Sequence, residues 1–140
     1  SYSRAREILN RADYGVLSTS CEDGLPYGVP ICYVLTGNSI YFHCAPEGQK
    51  LDNVMHDGRA CLTAVSAARN LGKRLTMAYE SAMAFGVVRL VYGEDERLAA
   101  MRLLMAPLLN SSSGDDVGRT KSESSASGFV PYFVTATTQA

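Results

Sequence analysis

Twelve residues, "SIYFHCAPEGQK" at positions 39–50, gather much of the chain's recognisable chemistry. An alternating apolar run ends in His43, one of only two histidines; small residues follow, and Gly48, Gln49 and Lys50 close the segment. Histidine is the side chain whose ordinary titration, near about 6.5, lets it give or take a proton around neutrality. Glycine at a helix start lets an anion approach the unpaired N–H groups and the positive end of the helix dipole, and a lysine adds a point charge. Read as a site, the segment is one wall of a pocket for a phosphate-bearing ligand. Read as scaffold, His43 ends a strand and Lys50 is a solvated lysine in a first turn, because a glycine and a lysine fall well short of a full phosphate-binding loop. The residues by themselves leave both readings open.

The elements around the segment decide which side chains it can present. On a strand over 39–44 the period of two sends Ile40, Phe42 and Cys44 to one face and Ser39, Tyr41 and His43 to the other, so the apolar set fills a core while His43 faces outward. After it, "PEGQKLDNVMHDG" predicts a helix of about three turns, with Pro46 in the first turn, Leu51, Val54 and Met55 on one face and Gly58 as carboxyl-terminal cap. Before it, "GVLSTS" and "YGVPICYVL" read as a hairpin about Asp23-Gly24, and Pro30, which has no N–H for a ladder, marks an edge or a bulge. "SRAREILNRAD" is a short amphipathic helix with Ala5, Ile8, Leu9 and Ala12 on its apolar face.

Downstream, "ACLTAV" is a strand, "SAARNLGKR" a loop, and "LTMAYESAMAFGVVRLVYG" a β-rich stretch expected to bend near Glu80 and Ser81. "EDERLAAMRLLMAPLLN" predicts a helix with Leu98, Met101, Leu104, Met105 and Leu108 in a core-facing stripe and Pro107 as kink or end. Residues 110–128 are polar and rich in Gly and Ser, the composition of a flexible loop, and "FVPYFVTAT" is a last strand. Strands outnumber helices and pair through hairpins. The expected fold is therefore mainly β, a small antiparallel barrel with peripheral helices, in one domain over 1–140.

Composition narrows the partners. The 13 Lys and Arg nearly balance the 14 Asp and Glu, and a net charge of −1 gives no electrostatic footprint for nucleic acid or an anionic membrane. No window approaches about eighteen uninterrupted apolar residues and the amino end lacks the apolar core of a signal peptide, which sets a cytoplasmic expectation. Cys21, Cys32, Cys44 and Cys61 lack metal-ligand spacing, so no metal is expected, and the last three sit in apolar text as core residues.

With these elements in place, the chain resembles a family. "PYGVP", "IYFHCAPEGQK" and "YESAMAFG", in that order within residues 5 to about 105, resemble the Nim-type, 5-nitroimidazole resistance branch of the pyridoxamine 5′-phosphate oxidase-like flavoproteins. The resemblance implies a six-stranded antiparallel FMN-binding split β-barrel, a homodimer with flavin at the subunit interface, and reduction of a nitroimidazole-like small molecule. It implies that Lys50 meets the FMN phosphate with backbone donors at Gly48 and Gln49. Pro30, Ile31 and Cys32 fall beside the flavin ring, His43 and Ala45 face it, and Ser81, Ala82 and Met83 reach toward it from a neighbouring strand or subunit. His43 takes the catalytic position. Other flavin-linked oxidoreductases, deazaflavin or haem binders of the same fold, and a non-catalytic flavin-binding protein are the alternatives. The closing "SSASGFVPYFVTATTQA" lacks the basic segment usual in the family.

Overall fold

The computed structural model describes residues 1–72, 76–109 and 132–138, with 107–109 and 132–138 described by their backbone. Three helices, α1 (Tyr2–Arg11), α2 (Gln49–His56) and α3 (Glu94–Leu109), accompany seven strands: β1 (Gly15–Ser20), β2 (Pro26–Ile31), β3 (Val34–Thr36), β4 (Ser39–Cys44), β5 (Arg59–Asn70), β6 (Met77–Leu90) and β7 (Tyr132–Thr138). The loop expected over 110–128 lies outside the described residues. Among those that are described, no helix is long and apolar enough to cross a membrane.

All seven strands form one antiparallel sheet in the order β2-β1-β5-β6-β7-β4-β3. Its two ends, β2 and β3, are consecutive in the chain and separated by Cys32 and Tyr33 alone. Three Cα steps span at most about 11 Å. A sheet whose ends are joined by so short a link must curl on itself. The link thus makes a barrel, and because no ladder joins β2 to β3 the barrel is split along that line. The single strand expected over "YGVPICYVL" is therefore two strands, which is why seven are counted where six were expected. Pro30 does lie on an edge strand, paired to Val16 on its one bonded side.

Inside the curl, Leu17, Ile31, Ile40, Phe42, Cys44, Leu62, Ala64, Ala82 and Val88 form one core, capped by Ile8 and Leu9 of α1 and Val54 of α2. The alternation expected on β4 holds: Ile40, Phe42 and Cys44 are buried, and His43 is exposed. At the closing link, Tyr33 lays its ring on this core and its hydroxyl donates to the Leu9 carbonyl oxygen at 2.6 Å, tying α1 to the seam.

Several expectations are corrected. Residues 66–70 belong to β5, because 67–70 pair with β6, and the long β6 is a single strand of 14 residues. The irregularity expected near Glu80 and Ser81 is a bulge in the facing strand: Val65 pairs with Ser81 and Ala67 with Glu80, leaving Ser66 unpaired. Arg4 and Arg11 of α1 both bridge to Glu80 there. Helix α2 begins at Gln49 rather than at Pro46 and ends on Asp57, not Gly58. Gly58 instead lets β6 pass, since a Cβ there would lie 2.8 Å from the Val88 carbonyl oxygen. Met55 is exposed, as are Leu98 and Met105 of the stripe expected to be core. Only Ala100, with Met101 and Leu104, packs α3 onto Val91 and Tyr41, and α3 continues past Pro107 to Leu109. Cys44 is buried as expected, whereas Cys32 at the seam is exposed.

Burial pushes the Tyr33 hydroxyl up to about 12 from its ordinary 10.0. The raised value means that the folded state favours the neutral phenol, so this support is full below pH 10 and is lost as pH rises through 12. Tyr33→Phe should lower the unfolding free energy by about 1 kcal/mol at neutral pH. It should also remove part of the alkaline fall that wild type shows between pH 10 and 12. Urea titrations across that range check both; a variant that matches wild type at every pH means the seam does not depend on this hydroxyl.

Candidate functional site

The corner where β4 runs into α2 is built around a helix start without a side-chain cap. Gly48 is the N-cap with φ of 134°, a conformation that side chains other than hydrogen resist, and no side chain bonds to the first-turn N–H groups. A Cβ at Gly48 would meet nothing within 4 Å, so the approach to those donors is open. Lys50, half-buried, places its Nζ 5.9 Å from the centre of the Phe42 ring. Burial raises the pKa of the neighbouring Cys44 thiol, and the Lys50 charge partly opposes that rise. The ammonium therefore stands over the inner side of β4, while His43 points from the outer side. An uncapped helix start with a lysine beside it fits an anionic phosphate in chemistry and in access.

What holds this corner is a buried polar cluster that the sequence reading missed. Asn53 is 1% exposed; its Nδ2 donates to Thr19 Oγ1 at 3.1 Å and to Cys21 Sγ at 3.6 Å, and its Oδ1 accepts from Gln49 Nε2 at 2.7 Å. Gln49 also donates to Cys21 Sγ at 3.7 Å. Both ends of the amide are used, so burial is offset, and α2 is fixed to β1 one turn behind Gly48 and Lys50. The available signal was spacing: Gln49 and Asn53 stand at i and i+4, with Asn53 next to Val54 on the buried arc.

A second group of expected residues lies elsewhere, on the outer face of the sheet. One row of paired residues runs Pro30, Val16, Thr63, Met83 across β2, β1, β5 and β6, and Ser81 faces outward opposite Val65. Tyr14, Val16, Thr63 and Val65 line a hollow of about 300 Å³ on this face. None of those four was expected at the site; period-two alternation on "YGV" and "TAV" is the signal that could have found them. The adjoining row, Ile31, Gly15, Ala64, Ala82, points inward. Ile31 and Ala82, at 6% and 7% exposure, are core side chains, so only their main chain could meet a ligand. Cys32 is exposed at the seam, in the link between β2 and β3. Ala45 follows β4, also exposed.

Counted through β7, the rows of His43 and Met83 lie far apart within one chain. Tyr41 pairs with Thr135 and Thr135 with Arg89, so the row of His43 falls at Val91 on the β6 scale, eight residues from Met83. Eight residues are about 27 Å of strand. Gly48, Gln49 and Lys50 stand at the α2 corner, His43 lies on the outer side of the adjoining β4, and Ser81 and Met83 lie on the remote part of the outer face.

The polar cluster gives a direct test. Asn53→Ala should cost about 1–3 kcal/mol of unfolding free energy, as expected when buried partners lose a bond. An unfolding curve unchanged from wild type would mean that the amide is not what fixes α2.

Comparison with known proteins supports the same architecture. No curated protein matches the chain. Among solved structures, a candidate 5-nitroimidazole antibiotic resistance protein from Bacteroides thetaiotaomicron superposes with a TM-score of 0.73 at 18% identity, covering 100% of this chain and 81% of that one. A FAD-binding protein from Mesorhizobium loti gives 0.68 at 16% identity, over 100% and 91% of the two chains. A heme binding protein from Mycobacterium smegmatis gives 0.69 at 19%, over 97% of this chain and 50% of that one. At such identities the likeness is one of fold. The model of the family described as pyridoxamine 5′-phosphate oxidase matches residues 1–138, and the chain belongs to that family.

Proposed function

We propose that the chain binds FMN between two copies of itself and acts as an FMN-dependent oxidoreductase of the Nim type, reducing the nitro group of a 5-nitroimidazole to an amine. The observation that carries this reading is the separation within one chain of an anion-ready corner at β4–α2 from the part of the outer sheet face bearing Ser81 and Met83. A ligand touched by both needs one from each copy. The outer face is suited to being covered, because Tyr14, Val65, Met83, Phe85 and Val87 are all exposed there. Apolar surface of this kind marks a contact site. The candidate nitroimidazole resistance protein among the structural matches agrees with the substrate class.

Bound FMN would supply electron transfer from a reductant to the nitro group. The chain's own residues do the rest. Main-chain N–H groups at the start of α2 and the Lys50 ammonium hold the phosphate. Asn53 keeps that helix start in place. The apolar outer face excludes water from the ring's surroundings, and exposed His43 donates a proton to the anion that develops on the substrate.

Two substitutions separate the roles. Lys50→Ala should weaken FMN at least about tenfold more than riboflavin, which lacks the phosphate; equal losses in fluorescence titrations contradict the assignment. His43→Ala should bind FMN like wild type yet reduce a nitroimidazole about tenfold or more slowly, the low end for a positioned acid. Wild-type turnover by that variant removes His43 from the mechanism. Absorbance spectra on adding FMN decide the cofactor: a chain that takes up haem and no flavin overturns the proposal.

A further inference from the structure

Past the bulge at Ser66, β5 and β6 leave the barrel as a bare ribbon. Beyond Ala64, β5 has no described partner except β6, and before Gly86, β6 has none except β5. Over the rungs Ala68–Tyr79, Arg69–Ala78 and Asn70–Met77 every residue is exposed, on both faces. A two-stranded ribbon without a packed face is marginal in water. Its composition is also wrong for one that stays solvated: Ala67, Ala68, Met77, Ala78 and Tyr79 are apolar, with Met77 54% and Tyr79 65% exposed, and Arg69 is the single charge among residues 67–70 and 77–79.

The same chain carries a complementary feature. The first turn of α3 holds Glu94, Asp95 and Glu96; Glu96 accepts from the Tyr41 hydroxyl at 3.1 Å and lies 3.6 Å from Arg89, fixing the helix on the outer face of β4. Glu94 and Asp95 point to solvent, and next to them Tyr92 and Leu98 are exposed. An acidic turn beside exposed apolar side chains matches an apolar ribbon bearing an arginine. One chain cannot bring them together, because they lie toward opposite ends of β6.

We infer that the β5–β6 ribbon of each copy docks on the first turns of α3 of a second copy, with Arg69 against Glu94 and Asp95 and with Met77 and Tyr79 against Tyr92 and Leu98. This rests on the shared site proposed above: if Met83 of one copy reaches His43 of the other, the ribbon, which continues the same strand past Ser81, is carried along the outer face on which α3 stands. The contact is isologous, ribbon to helix and helix to ribbon, and closes as a dimer. The ribbon then acts as a clasp that holds the two site walls together.

The test replaces Tyr79, which has no core contact to lose, by the photo-cross-linker p-benzoyl-phenylalanine in the full chain. Irradiation should join two chains, and peptide mapping should place the bond within residues 92–98 of the second. Bonds within one chain, to another part of the second chain, or to a different protein overturn the inference. A charge exchange checks the polar half: Arg69→Glu should raise the dimer dissociation constant about tenfold or more. Combining it with Glu94→Lys and Asp95→Lys should restore most of the loss; a triple variant weaker than Arg69→Glu contradicts the pairing. Neither readout uses flavin. A dimer that binds FMN but cross-links elsewhere refutes the clasp alone, and a clasped dimer that binds no flavin refutes the shared site alone.

Discussion

Two residues, Cys32 and Tyr33, are all that joins the two ends of a seven-stranded sheet, and the geometry of the molecule follows from that short link. Because it cannot reach far, the sheet must roll up, and rolling gives every strand an inner and an outer face with different work. Inner positions fill with Leu17, Ile40, Phe42 and Leu62. Outer positions such as Val16, Met83 and Phe85 are left exposed. The same closure sets β4 one strand from the seam, with the start of α2 following it in the chain. Tyr33 secures the link by spending its hydroxyl on α1.

The second constraint is the bulge at Ser66. Inserting one residue shifts which side chains of β5 face outward, so that Ala68, not Ala67, stands opposite Tyr79. It comes where α1 reaches across with Arg4 and Arg11 to Glu80. These ion pairs are largely exposed and contribute little energy individually. Their value lies in fixing where the barrel ends and the free ribbon starts. The strand that carries Ser81 and Met83 on the barrel also carries the ribbon beyond it.

Much of this was legible in the residues because local pattern and final environment agree. Alternation on 39–44 sorted the side chains of β4 correctly, Asp23-Gly24 marked a turn in which Gly24 takes φ of 84°, and Pro30 marked an edge. What escaped depends on distant partners. "YGVPICYVL" has uninterrupted strand character, and its break becomes visible only once its halves pair at opposite ends of the sheet. "SAARN" lacks strong strand formers and is extended because β6 runs beside it. The apolar stripe on α3 looked like core, yet Leu98 and Met105 are exposed. Asn53 went unremarked because its partners, Thr19 and Cys21, are more than thirty residues away. Of the residues expected at the site, Gly48, Gln49 and Lys50 stand together at the start of α2. The sequence did not show that Ile31 and Ala82 point inward, or that Met83 and His43 are held apart.

The central claim is that a flavin site needs both copies, and sedimentation equilibrium with and without FMN tests it most directly. If each site draws Lys50 and His43 from one chain and Ser81 and Met83 from the other, FMN binds the dimer in preference to the monomer, and saturating FMN tightens dimerisation by mass action. FMN should sediment with the dimer alone, and dilution into the monomer range should release it. A monomer that retains FMN with the affinity of the dimer would contradict the account.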